Sequence, residues 1–264
     1  LTHPSTITIF DFGRTPEGVF YYAMEYLDGV TLAELIAHDG AQKPARVVQL
    51  LRQVCGSLDE AHSAGLIHRD IKPANLMLCV RGGMPDQVKV LDFGLVKEHG
   101  EHVGPGLSTA GTLLGTPAYL APEAILDSST VDARVDLYAL GAVAYELLVS
   151  QPVFDGNTIV EISLRHLQSE PVPPSLRSAE PIPPALEQLV LRCLAKNPAD
   201  RPASAGEMIA MLDRLGDLGS WTIDDARSWW RDRAPSVSRE VRDRRRRQST
   251  PGPRTVAIDL ERRS

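Results

Sequence analysis

A chain of 264 residues can bury a sizeable core, and 43% hydrophobic with 23% charged residues is an ordinary globular composition. No apolar run approaches the ~20 residues that cross a bilayer, and no signal-peptide pattern opens the chain. The three cysteines, Cys55, Cys79 and Cys193, are too scattered for a disulfide framework or a metal site, so a reducing cytoplasm is the expected location. The net charge of -6 is uneven: residues 1–216 carry 16 Lys and Arg against 26 Asp and Glu, and residues 217–264 carry 12 against 8. An acidic body argues against nucleic-acid binding. The run Arg244-Arg245-Arg246-Arg247 reads as solvated linker, with an anionic membrane surface or partner as the alternative.

Ile7 and Ile9 alternate with threonines, and Val19 to Met24 is a second β-rich run after the turn signal Pro16-Glu17-Gly18. The pair reads as a hairpin, and a lone hairpin is marginal in water, so it is expected to belong to a larger sheet. Thr31 can cap a short helix from Leu32 to His38. A longer helix runs from Pro44 to Ala64, with Val47, Leu50, Leu51, Val54, Leu58 and Ala61 at helical spacing and Gly65 as its stop. Two short strands, Leu76–Val80 and Val88–Leu91, flank a polar connection. From Asp92 to Glu123 the text is rich in Gly, Ser and Thr and shows little periodicity, which marks a functional or disordered loop. Arg134–Val149 is apolar on all sides and should be the buried post of a helical domain. Further helices are expected near 158–168, 184–195 and 204–215. The prolines between 171 and 184 read as a stiff interhelical connection.

The chemistry gathers around His68-Arg69-Asp70-Ile71-Lys72-Pro73-Ala74-Asn75 and Asp92-Phe93-Gly94. An antiparallel hairpin between them returns the chain to the end where it began, which brings Asn75 and Asp92 side by side. An amide oxygen and a carboxylate there suit magnesium, which takes few protein ligands and leaves room for phosphate oxygens. Asp70 stands at the same end, able to accept a hydroxyl proton, and Lys72 adds a positive charge. Positioning, metal and charge are what phosphoryl transfer requires.

His68–Asn75 resembles the catalytic loop of protein kinases, and Asp92-Phe93-Gly94 resembles their magnesium-binding triplet. Gly115-Thr116-Pro117-Ala118-Tyr119-Leu120-Ala121-Pro122-Glu123 is similar to the end of their activation segment. The resemblance covers roughly residues 1–215, and Lys72 with Gly-Thr-Pro-x-Tyr fits the eukaryotic-type (Hanks-type) serine/threonine kinases. It implies an α+β, kinase-like fold: a remnant of the N-lobe in residues 1–27, a mainly helical C-lobe in 28–216, and a C-terminal segment in 217–264. It implies Asp70 as catalytic base, Lys72 at the γ-phosphate of ATP, Asn75 and Asp92 on magnesium, and Thr116 positioning the acceptor hydroxyl of a protein substrate. Met24 matches the gatekeeper, the backbone of Glu25 and Leu27 the adenine edge, and Met77 the floor beneath the ring. His68 is expected to pack under Phe93, Glu123 to pair with Arg201, and Asp136 to hold the catalytic-loop backbone, with His62 and Cys193 as core residues.

The family's Gly-rich loop, ATP-anchoring strand lysine and partner glutamate do not occur in these residues. The expectation is a fragment of a normal kinase that binds ATP poorly as it stands, with a pseudokinase or scaffold as the alternative. Arg69 implies a loop phosphate on Ser108, Thr109 or Thr112. Thr31 and Ala74 stand where kinases selecting basic substrates often carry glutamates, which argues against strong basic selectivity. Trp221 to Trp230 reads as a capped amphipathic helix, Thr222 as cap and Asp225 in its first turn, with the tryptophans docked on the body. The 23 arginines against 5 lysines suggest a GC-rich bacterial genome, and the text beyond Arg231 reads as linker.

Overall fold

The computed structural model describes residues 1–15, 19–93, 117–127, 129, 131–235 and 237. Two strands open it, β1 (Ile9–Arg14) and β2 (Phe20–Met24), paired antiparallel with Phe12 opposite Tyr22. Phe10 and Phe12 lie open to solvent on this ribbon. A hollow of about 300 Å³ on it is lined by Ile9, Phe10, Asp11, Phe12 and Tyr22 and includes none of the chemically active residues named above. The ribbon is fastened at its base, where Thr6 bridges Val90 and the Ile7 N–H donates to the Val90 carbonyl at 3.0 Å.

The chain then forms β3 (Gly29–Thr31) and α1 (Leu32–Asp39). Thr31 caps α1 as expected, in a reciprocal capping box with Glu34. Helix α2 (Pro44–Ser63) begins on a proline at its first turn and buries Val47, Leu50, Leu51, Val54 and Leu58. Strands β4 (Leu76–Arg81) and β5 (Met84–Val90) complete a three-stranded antiparallel sheet in the order β3-β4-β5. These two strands are longer than the sequence suggested. Gly82 and Gly83 take positive φ values of 55° and 75°, which permits a two-residue turn where a seven-residue connection was expected.

The remainder is helical: α3 (Pro122–Leu126), α4 (Arg134–Val149), α5 (Ile159–Gln168), α6 (Pro184–Cys193), α7 (Ala205–Asp213) and α8 (Ile223–Asp232). Helix α4 is the post anticipated, with 14 of its 16 residues buried. Gly141 lets α6 approach it closely, since a Cβ there would stand 2.5 Å from the Cys193 Cβ. Burial of this one continuous core, at roughly 25 cal/mol per Å² of apolar surface, drives the assembly of α1, α2, α4, α6 and α7 around the sheet. Among the described residues, no helix is long and apolar enough to cross a membrane.

Candidate active site

Helix α2 ends at Ser63, Gly65 turns the chain at φ 78°, and the segment from Leu66 to Lys72 runs irregularly into a short 3-10 turn, Pro73–Asn75, before β4. Such a segment needs partners for its backbone, and α4 supplies them. The buried Asp136 carboxylate accepts the N–H groups of His68 and Arg69, each at 2.8 Å, and sits 2.8 Å from His62 Nε2. Arg69 is held at φ 62°, a left-handed conformation that costs a non-glycine residue on the order of 1 kcal/mol or more. His62, expected to be a plain core residue, is therefore part of this support.

The His68 ring is fully buried and fixes two parts of the site to each other. Nε2 lies 2.7 Å from the Leu91 carbonyl, and the Asp70 N–H donates to Nδ1 at 3.3 Å. A carbonyl can only accept, so the proton is on Nε2 and the tautomer is set. The ring packs 4.7 Å from that of Phe93, as anticipated. His68 thus connects the backbone of Asp70 with the residue before Asp92.

Asp70, Lys72 and Asn75 converge. Lys72 Nζ donates to Asp70 Oδ2 at 2.8 Å, and Asn75 Nδ2 donates to the same oxygen and to the Asp70 carbonyl, both at 2.9 Å. Because both partners of Nδ2 are acceptors, the amide orientation is determined, and the other atom of the amide is the oxygen. The Leu91 N–H donates to the Asn75 carbonyl at 2.9 Å, so the start of β4 and the exit of β5 are joined where the sequence placed them. Asp92 follows, exposed, at φ 53°. Among the described residues no group of three or more His, Cys, Asp or Glu side chains could hold a metal. An Asn–Asp pair fits a cation that retains solvent and phosphate ligands, as magnesium does.

Where the resemblance places the adenine edge, β2 ends at Met24, half-exposed, and Glu25 and Leu27 follow. The Glu25 N–H donates to the Thr8 carbonyl at 3.0 Å. Its side chain makes a feature that the sequence did not reveal. The buried carboxylate accepts from Lys89 Nζ at 2.6 Å and from the Thr8 N–H at 3.0 Å, with Arg81 Nη2 at 2.8 Å. Burial works to raise the Glu25 pKa, but Lys89, Thr8 and Arg81 together hold it below the ordinary carboxylate value. Lys89 also donates to the Thr6 carbonyl at 3.1 Å and is the cross-strand partner of Met77. Glu25, Met77 and β5 therefore meet at one lysine. The available signal was a lysine set between two valines, Val88-Lys89-Val90.

Residues 117–127 are seated on α4 and α5. Pro117–Tyr119 form a 3-10 turn, and Tyr119 Oη donates to Glu146 at 2.6 Å. Burial pushes the Tyr119 hydroxyl far up and the Glu146 carboxyl up. Beneath it, Tyr138 Oη and His166 Nδ1 lie 2.7 Å apart, and burial with the nearby Lys196 lowers His166 to about 4. Glu123 and Arg201 pair as anticipated, at 2.6 Å and 2.8 Å, and the buried guanidinium also reaches the carbonyls of Arg134, Ala195 and Lys196. Gly94, Ser108, Thr109, Thr112 and Thr116 lie outside the described residues, so the loop assignments stand as expectations. The Arg69 side chain is exposed.

The family described as "Protein kinase domain" matches residues 1–211. The serine/threonine-protein kinase pkn3 of Myxococcus xanthus is 44% identical over 217 residues, which cover 81% of this chain and 40% of that protein. PknB of Mycolicibacterium smegmatis is 40% identical over 218 residues, covering 81% and 34% respectively. The chain thus spans well under half the length of these relatives. The crystal structure of the Mycobacterium tuberculosis PknI kinase domain superposes with a TM-score of 0.61 at 28% identity, over 82% of this chain and 73% of that one. That of Rad53 residues 1–466 with AMP-PNP gives 0.64 at 24% identity, over 79% and 50%, a likeness of fold. The α+β fold and the family match over residues 1–211 show that the chain belongs to the protein kinase family, and the relatives named above are bacterial serine/threonine-protein kinases.

Proposed function

We propose that the protein transfers the γ-phosphoryl group of ATP to serine or threonine hydroxyls of protein substrates, with Asp70 as the group that receives the hydroxyl proton. The observation that carries this reading is the cluster in which Lys72 and Asn75 both grip Asp70 Oδ2. That grip fixes the carboxylate and leaves Oδ1 to face an incoming hydroxyl. As the acceptor oxygen bonds to phosphorus and the bond to the ADP oxygen breaks, the proton passes to Asp70. Lys72 stands where it can shift from Asp70 toward phosphate oxygens, contributing charge at the transferring group.

Asn75, through its amide oxygen, and Asp92 would hold magnesium, which when bound neutralises phosphate charge. Glu25 and Leu27 would hold the adenine edge through their main chain, and Met77 would pack beneath the ring. Thr116 would position the acceptor. Arg69, on the exposed side of the loop, would receive a phosphate from Ser108, Thr109 or Thr112, which adds about -2 charge and can form one to three charge-assisted bonds. The test is to incubate the full-length protein with magnesium, labelled ATP and candidate proteins, and to identify the modified residues by mass spectrometry. Phosphoserine and phosphothreonine without phosphotyrosine support the reading. A folded protein that transfers no phosphate to itself or to any substrate would favour a scaffold.

A further inference from the structure

The family match ends at residue 211, yet the ordered chain continues and inserts three tryptophans into the lobe. Their receptor is an ion pair with no part in the proposed chemistry. Arg46 of α2, in helical phase with Leu50 and Val54, is 1% exposed and donates through Nε and Nη2 to the two oxygens of Asp86 on β5, each at 2.9 Å. Its Nη1 donates to Gln42 Oε1 at 2.9 Å. Trp221 and Trp229 cover the guanidinium, each with its ring centroid 4.4 Å from Cζ. Trp221 Nε1 then donates to Asp86 Oδ2 at 2.9 Å, and Trp230 Nε1 to Asp86 Oδ1 at 2.8 Å. Each carboxylate oxygen thereby accepts from one guanidinium nitrogen and one indole.

A buried ion pair is unfavourable unless its remaining hydrogen-bonding capacity is used, and here the indoles use it. The docking also has independent fastenings. Trp229 Nε1 donates to Asp39 Oδ2 at the end of α1, and Arg233 Nε lies 3.3 Å from Asp39 Oδ1. Gln49 Nε2 donates to the Trp221 carbonyl at 2.9 Å, and the Thr222–Asp225 capping box fixes the start of α8. Ala234 and Val237 are buried beyond the helix, where the sequence read as linker.

We propose that residues 221–235 form a strap that belongs to the helical lobe, with the Arg46–Asp86 pair as a receptor for an aromatic segment that presents two indole N–H groups to one carboxylate. The strap ties α1, α2 and the turn end of the β4–β5 hairpin together, because Asp39, Arg46 and Asp86 stand on those three elements. Gln53 of α2 adds to the same junction, donating to the Asp86 carbonyl at 2.9 Å and accepting the Val88 N–H at 3.0 Å. The inference is independent of the phosphoryl-transfer reading.

The test is hydrogen exchange with mass spectrometry on the full-length protein, comparing wild type with the double variant Trp221→Phe, Trp230→Phe. Phenylalanine keeps an aromatic face and deletes only the indole donors. Loss of a hydrogen bond to a buried charge should raise local exchange by about tenfold or more. The expected result is faster exchange confined to the strap, the first turns of α2 and the β4–β5 turn, with α4 and α6 unchanged. Unaltered exchange at the hairpin overturns the proposal. So does uniform acceleration throughout the lobe, which would mark general destabilisation, or a wild-type strap that exchanges like free chain.

Discussion

Replacing Asp136 with alanine should both loosen the lobe and misplace the catalytic loop. The carboxylate is 1% exposed and accepts two backbone N–H groups at 2.8 Å, those of His68 and Arg69. Hydrogen bonds to a charged group are worth about 1.5–3 kcal/mol each, so their loss costs about 3–6 kcal/mol. Arg69, freed from its left-handed conformation, gives back on the order of 1–2 kcal/mol. A net loss of about 2–4 kcal/mol at roughly 2–4 °C per kcal/mol predicts a melting temperature lower by about 4–16 °C. Asp136 stands behind the loop and touches it through the backbone, so kcat should fall at least about tenfold while KM for ATP changes little. The assays are a thermal melt followed by circular dichroism and steady-state kinetics on the full-length protein. A variant that melts within about 1 °C of wild type would refute the energetic reasoning. One that melts early yet retains kcat would show that Asp136 supports the fold without positioning the loop.

Lys89→Met should strand the buried Glu25 carboxylate and loosen the segment from Glu25 to Leu27 against β5. We expect KM for ATP to rise about tenfold with a smaller change in kcat, and Lys89→Arg to recover part of the loss, both read by steady-state kinetics. His166 predicts a pH dependence of stability. Its pKa in the fold lies near 4, below its ordinary 6.5, so between those values the unfolded chain binds a proton that the folded chain refuses. Stability is full above about pH 6.5 and falls as pH drops toward 4, by up to ~1.4 kcal/mol per pH unit. Urea titrations across that range should show the slope, and His166→Gln should flatten it.

Much of the site was legible because its groups are close in sequence or joined by one hairpin. Asp70, Lys72 and Asn75 fall within a single turn of chain, and the hairpin β4–β5 has one simple way to return Asp92 to Asn75. Helix α4 was equally plain, since a helix with apolar residues on every side has no face for water. What escaped depends on contacts between distant elements. Arg46 lies in phase with the apolar stripe of α2, but spacing along the chain could not show that Asp86 and Gln42 would accept from its donors while two indole rings covered its face. The same pairing explains why β5 begins at Met84. Pro85, Asp86 and Gln87 look like turn residues, and they join the strand because Arg46 and Gln53 give the polar groups of Asp86 their partners. The tryptophans were expected to dock, and their acceptors, Asp86 and Asp39, were not foreseeable from the local text.

The measurement that tests the central claim most directly is phosphoryl transfer by the full-length protein carrying Asp70→Asn or Asp92→Asn. Asp70 is partly exposed and Asp92 is exposed, so neither side chain is part of the core and each variant should melt close to wild type. The account predicts near-complete loss of transfer in both at saturating magnesium and ATP. Turnover retained at the wild-type rate in either variant, with the fold intact, would contradict the assignment of the catalytic base or of the magnesium ligand.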